Sequence, residues 1–290
     1  MKKIFFLLFI TAFLYCGCSS VPVTGRQQLS LVSDQEVLSL SLQQYDEYIK
    51  TAQKSTNKVN TDMVLRVGKN IENAVNMYYK ANGMESLLSG YSWEFSLIKD
   101  PQVNAFCMPG GKIVIYEGIL PYTQTEAGLA VVVGHEVAHA VAKHANERIS
   151  QQMVAQYGSA AVSGLLNKSS TTVQAIGNTV YGLGAQYGVM LPYSRKQEFE
   201  ADHLGLVFMA IAGYNPNEAI PFWQRMSTQG STTLEFMSTH PSDENRIAEM
   251  KKRIPEAMEY YNAVTGKQPT SPANKSNVQP NTKTSNDWTF

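Results

Sequence analysis

Apolar residues along this chain change their spacing several times, and each change marks an element. The stretch opening at Ser33-Asp34-Gln35-Glu36 keeps apolar positions at helical intervals to about Thr51. From 61 to 81, Val64, Val67, Ile71, Val75 and Tyr78 fall on one stripe that Asn82-Gly83 closes, which predicts a second amphipathic helix. The period then drops to two. Trp93, Phe95 and Leu97 alternate with polar neighbours, and segments 104–108 and 112–116 flank Pro109-Gly110-Gly111, a pattern that predicts a small antiparallel sheet with a hairpin. Thr123-Gln124-Thr125-Glu126 has the form of a capping box ahead of Ala127-Gly128-Leu129-Ala130-Val131-Val132-Val133, so a buried helix follows.

Segment 151–191 spreads Leu165, Leu166, Ile176 and Leu183 among Gly, Ser and Thr, without a run long enough to span a membrane. It is read either as a mobile helix pair near a cleft or as a plain helical hairpin. Segment 194–205 is read as part of another helix, and Pro241-Ser242 marks the start of one that runs toward Tyr261. From about 266 the chain is rich in Gln, Pro, Asn, Ser and Thr and is expected to be a disordered tail, 266–290. The fold class is therefore α+β and mainly helical, with a small antiparallel sheet or hairpin beside the apolar helix.

That apolar helix carries the chemistry. His135-Glu136-Val137-Ala138-His139 continues it, and at about 100° per residue the two imidazoles lie one turn apart on one face, able to share one metal ion. Buried His and Glu on an apolar helix are costly without a partner, and zinc supplies one. Glu136 beside them is placed as the general base. A third ligand is sought in Ser194-Arg195-Lys196-Gln197-Glu198-Phe199-Glu200-Ala201-Asp202-His203-Leu204-Gly205, where Glu198 and Asp202 stack on one helical face. Glu198 completes a two-His, one-Glu set, and Asp202 is expected to accept the free ring N–H of a liganding His, most plausibly His139. Glu200 points away, and small Ala201 and Gly205 suggest close helix packing. His144, about 140° round the helix from His139, is read as structural.

These residues resemble the signature of the membrane-associated zinc metallopeptidases that include the heat-shock protease HtpX, the CAAX prenyl protease and BepA-like periplasmic lipoproteins: His135-Glu136 and His139, then Glu198, Asp202 and Gly205. Val21-Pro22-Val23-Thr24-Gly25-Arg26-Gln27-Gln28-Leu29, Asn104-Ala105-Phe106 with Pro109-Gly110-Gly111, and Thr239-His240-Pro241 with Arg246 extend the resemblance to the soluble lipoprotein branch, without its tetratricopeptide array. The resemblance implies a zincin-like domain binding one Zn2+ per chain.

The amino terminus bears on compartment. Lys2 and Lys3 precede an apolar stretch, 4–14, of signal-peptide length, and Leu14-Tyr15-Cys16-Gly17-Cys18 resembles a bacterial lipobox with Cys18 acylated. The division expected is a signal peptide 1–17, a lipid-anchored linker 18–29, a metallopeptidase domain 30–265 and the tail 266–290. Ser19 leans toward the outer membrane, facing the periplasm. Lys plus Arg equal Asp plus Glu at 24 each, with no basic cluster among aromatics, which argues against nucleic acid. With Cys18 acylated, Cys107 has no disulfide partner.

The expected function is zinc-dependent endopeptidase action on unfolded or misassembled envelope proteins, the segment Asn104, Ala105 and Phe106 pairing with an extended substrate. The alternative is a chaperone-like or scaffold lipoprotein whose zinc is largely non-catalytic. His240 is a candidate fourth ligand and latency switch, or else a loop histidine satisfied locally. Arg246 either pairs with the acidic helix near Asp202 or binds the developing oxyanion.

Overall fold

The computed structural model describes residues 18–22, 24–165, 194–228, 235–240 and 244–266. The expected signal peptide 1–17, most of segment 151–191 and the tail beyond 266 lie outside them. Strands β1 (Cys18–Ser20) and β2 (Gln27–Leu29) pair antiparallel. Helices α1 (Asp34–Thr51) and α2 (Lys58–Ala81) follow, capped by the side chains of Ser33 and Asn57. Strands β3 (Glu94–Ile98), β4 (Ala105–Met108) and β5 (Lys112–Tyr116) come next. A short α3 (Leu120–Thr123) leads to α4 (Glu126–Val141) and α5 (His144–Leu165). Beyond them lie α6 (Arg195–Ile211), α7 (Ala219–Thr228), the one-turn α8 (Glu235–Thr239) and α9 (Glu244–Thr265).

The expected hairpin is present: β4 and β5 are antiparallel, and Gly110 and Gly111 turn between them at φ +88° and +84°, a region only glycine enters freely. The sheet is not wholly antiparallel, however. Its order is β3-β5-β4, and β3 lies parallel to β5, because the chain crosses from β3 to the far edge and returns through the middle. β5 is buried at every position, since both faces are covered. Leu97, Ala105, Cys107, Ile113 and Ile115 face the main core with α2, α4 and α6, while Ile98, Phe106, Met108, Val114 and Tyr116 face a second cluster with Val37 and Tyr45 of α1 and Ile149 and Met153 of α5.

Helix α4 is buried on every side from Gly128 to Val141, which is why its run up to His135 is apolar without a solvent face. Thr125 caps it, accepting from the Gly128 N–H at 3.0 Å. It lies against α6 at a crossing where two glycines meet: a methyl on Gly205 would come 2.9 Å from the backbone N of His135, and one on Gly134 would come 2.9 Å from the Gly205 carbonyl oxygen. Residues 18–29 do not trail as a linker. Val21 is buried in the main core, and the ribbon runs alongside α5.

Candidate metal centre

The α4–α6 crossing brings four donor side chains to one point. His135 and His139, one turn apart on α4, approach with their Nε2 atoms 3.0 Å apart. From α6, a Glu198 carboxylate oxygen lies 3.4 Å from His135 Nε2 and the other lies 3.3 Å from His139 Nε2. His240, just past α8, places Nδ1 3.1 Å from His135 Nε2 and 3.0 Å from Glu198 Oε1. All four side chains are buried.

The donor set fits zinc on two counts. Four N and O donors about 2.0–2.2 Å from a tetrahedral ion stand about 3.3–3.6 Å from one another. The separations seen, 3.0 to 3.4 Å, are close to that. Charge gives the second count. Glu136, Glu198 and Asp202 oppose Arg246 alone, so with neutral imidazoles the buried carboxylates exceed the guanidinium by 3 − 1 = 2 negative charges, those of a divalent ion. Accordingly, burial opposes a charge on His135, but Glu198 and the hydrogen bond to Asp202 prevail and raise its pKa to about 9 without an ion. Glu198 is held well below the usual carboxylate range, the Arg246 charge and His240 overcoming its burial.

Asp202 holds a different ring from the one expected. His135 Nδ1 lies 3.0 Å from Asp202 Oδ1, so the carboxylate orients His135 and not His139. Asp202 lies four positions, about one turn, beyond Glu198 on a helix that crosses α4 in the opposite sense, so it reaches His135, the N-terminal histidine of the pair. Arg246 pairs with the acidic helix at Asp202. Its Nε and Nη2 donate to Asp202 at 2.6 and 2.8 Å, its Nη1 stands 2.7 Å from Glu198 Oε2, and its plane lies 3.8 Å from the Trp223 ring centre.

His139 is held from the opposite side. The helix breaks at Lys143, whose φ is +59°, and the break swings His144 back so that its Nδ1 sits 2.8 Å from His139 Nδ1. His144 is thus no ligand, yet it touches one. Glu200, which does point away from the ligands, is nevertheless buried and accepts from His144 Nε2 at 2.9 Å. Its carboxylate also receives Arg26 Nε at 2.8 Å and the Thr24 hydroxyl, and Arg26 donates to both oxygens of Glu147 at 3.0 and 2.8 Å. Helical spacing alone could not show these roles. The signals available were the charged residue after Val21-Pro22 and the polar run His144 to Arg148 in an otherwise apolar region.

Glu136 lies beside the edge strand. Its Oε2 accepts the Cys107 backbone N–H at 3.2 Å, and its Oε1, though buried, accepts no hydrogen bond and lies 3.3 Å from His240 Nε2. Burial raises the Glu136 pKa, against the opposing pull of His240 and His135, and so makes the carboxylate a better proton acceptor. Asn104, Ala105 and Phe106 are all buried here, with Asn104 Oδ1 accepting the Ala105 N–H at 2.9 Å. Cys18 begins β1.

A histidine pair, a carboxylate from a second helix and an uncommitted glutamate beside a strand edge match a known family over most of the structured region: residues 69–254 match Peptidase family M48. The chain belongs to that family. The Saccharomyces cerevisiae mitochondrial metalloendopeptidase OMA1 is 31% identical over 272 residues, 90% of this chain and 76% of the relative. The Schizosaccharomyces pombe mitochondrial metalloendopeptidase OMA1 is 40% identical over 173 residues, 59% of this chain and 49% of the relative. A beta-barrel assembly-enhancing protease of Yersinia pestis is 30% identical over 167 residues, 56% of this chain and 34% of the relative. The chain therefore spans about half of the fission-yeast M48 relative and about a third of the Yersinia one. As an M48 metallopeptidase with this donor set, the chain is a zinc enzyme. The expected placement as a lipoprotein of a bacterial outer membrane is corrected by these relatives, since the OMA1 proteins that align over most of this chain are mitochondrial.

Proposed function

We propose that this M48 peptidase is an endopeptidase that cleaves extended segments of unfolded or misassembled proteins, with His135, His139 and Glu198 as its zinc ligands and Glu136 as its base. The observation that carries the reading is Glu136 itself: a buried carboxylate with one oxygen anchored to the strand edge at Cys107 and the other left without a hydrogen bond beside the ligand cluster. Zinc held there supplies a Lewis acid that polarises the scissile carbonyl and acidifies water. Glu136 Oε1 takes a proton from the attacking water and delivers it to the leaving amine, its burial favouring both steps. Asp202 fixes the ring of His135, and Arg246 keeps Asp202 and Glu198 ionised. Asn104, Ala105 and Phe106, at the start of edge strand β4, align the substrate backbone as an added strand, a mode that selects extended conformation over sequence.

The test compares metal content and casein cleavage of the parent chain and Glu136→Gln. The variant keeps one zinc per chain and loses cleavage by a factor of about 10²–10⁴. Equal cleavage would remove Glu136 from the mechanism.

The fourth donor favours a second reading, since a structural zinc site has four closed protein ligands and His240 would be the fourth here. In that reading the chain acts as a chaperone-like scaffold, and neither parent nor Glu136→Gln cleaves casein.

A further inference from the structure

Each of the two histidines on α4 leans on a carboxylate of α6 backed by an arginine, but the two arginines come from opposite ends of the chain. For His135 the line is short: Asp202, then Arg246 of α9. For His139 it has one more member. His144 Nδ1 meets His139 Nδ1 at 2.8 Å, Glu200 meets His144 Nε2 at 2.9 Å, and Arg26, on the turn between β1 and β2, meets Glu200 at 2.8 Å.

Proton bookkeeping fixes the direction of this second line. If His139 offers Nε2 to a metal, its Nδ1 carries the hydrogen and donates to His144 Nδ1. His144 then carries its own hydrogen on Nε2, pointed at Glu200. Glu200 remains an anion and accepts from Arg26, from Thr24 and from His144. Every member has one arrangement, and Arg26 is further pinned by its paired bonds to Glu147, which also accepts Gln197 Nε2 at 2.8 Å. His144 and Glu200 are buried and Arg26 is only 14% exposed in its side chain, so little water is available to replace a missing member.

We propose that Arg26, Glu200 and His144 are positioning residues for the metal centre, so that the amino-terminal ribbon, through Arg26, sets how tightly His139 holds zinc. The proposal rests on the reading of His135, His139 and Glu198 as ligands. None of the three touches substrate or metal; each fixes the next until the ring of His139 has a single tautomer and orientation. Partners of liganding histidines are worth roughly 10–100-fold in metal affinity.

Zinc affinity of the full chain, measured by competition with a chromophoric chelator, provides the test. His144→Ala weakens binding by roughly 10–100-fold. Arg26→Ala, two members further out, weakens it less but measurably, at roughly the tenfold lower end of that range. His144→Gln, whose amide keeps one acceptor and one donor, recovers most of the loss. Gln27→Ala, in the same ribbon, removes an exposed side chain that donates to the Ser20 hydroxyl while keeping the backbone carbonyl that faces Arg26, and leaves affinity unchanged. The cobalt-substituted protein adds a signature that general destabilisation does not move: the absorption bands of the bound ion shift in His144→Ala and Arg26→Ala but not in Gln27→Ala. Parent-like affinity in both His144→Ala and Arg26→Ala overturns the proposal, as does an equal loss in Gln27→Ala. A loss confined to His144→Ala overturns the ribbon's part. A parent chain that binds no zinc at all fails the ligand reading instead, so the two failures are distinguishable.

Discussion

Gly205→Ala tests whether close backbone approach at the α4–α6 crossing is what assembles the site. In an ordinary helix this substitution stabilises by about 1 kcal/mol, through helix propensity and a less flexible unfolded chain. Here the added methyl would sit 2.9 Å from the His135 backbone N and 3.1 Å from both the Gly134 carbonyl carbon and the His135 Cα. All three are main-chain atoms of a buried helix, so no side chain can swing aside and the two helices must separate by a few tenths of an ångström. Overpacking of this kind costs about 1–3 kcal/mol, and the rigid target puts the cost at the upper end. Subtracting the propensity gain leaves a net loss of about 1–2 kcal/mol, which lowers Tm by about 2–8 °C for a domain of this size. Glu198 lies two turns up α6 from Gly205, so zinc affinity falls as well. Thermal melts followed by circular dichroism on metal-free and zinc-loaded protein supply the assay. A rise in Tm, the outcome propensity alone dictates, would refute the reasoning.

The remaining predictions concern His240 and Glu200. His240→Ala raises cleavage of an unfolded substrate severalfold while zinc stays near one per chain, because His135, His139 and Glu198 remain as ligands; unchanged activity would assign His240 a purely structural place. Burial raises the Glu200 carboxyl, but His144, Thr24 and Arg26 outweigh it and hold its pKa below the ordinary 4.5. A depressed folded-state pKa gives stability that is present above 4.5 and lost as pH falls through the folded value. In metal-free protein the stability gap between parent and Glu200→Gln therefore narrows as pH is lowered from 6 toward 3. A gap that stays constant over that range removes the ionised Glu200 from the account.

How much of this was legible in the chain depends on whether a feature is local. The stripe on α2 and the hairpin at Gly110-Gly111 are written in neighbouring residues, and the structure has both; the capping box expected at Thr123-Gln124-Thr125-Glu126 is replaced by a cap two residues later, Thr125 accepting the Gly128 N–H while Glu126 pairs with Arg66. The ligand pairing of α4 with α6 was legible because His135 with His139 and Glu198 with Asp202 each obey helical spacing. Which histidine Asp202 would hold was not, since that depends on the direction in which the two helices cross. His144 was read as structural and is no ligand, but its contact with His139 was not legible: a rotation of 140° assumes one continuous helix, and Lys143 adopts a left-handed conformation that no residue-type preference announces. The parallel placement of β3 depends on a crossover between 99 and 104, which alternation within strands does not encode.

The α4–α6 crossing also has a consequence for biosynthesis. The donors are spaced along the chain as 135, 139, 198 and 240, with Arg246 later still. A ribosome adding residues in order produces the two imidazoles first, the carboxylate 59 residues after His139 (198 − 139), and the guanidinium that keeps Glu198 and Asp202 charged 48 residues beyond that (246 − 198). Domains condense as units during synthesis. An unfinished chain thus has at most part of a coordination sphere and an unneutralised pair of acids at its centre. A complete set of donors with its neutralising guanidinium therefore exists only when nearly all of the folded region has been made, so under the proposed function hydrolytic competence comes late in synthesis.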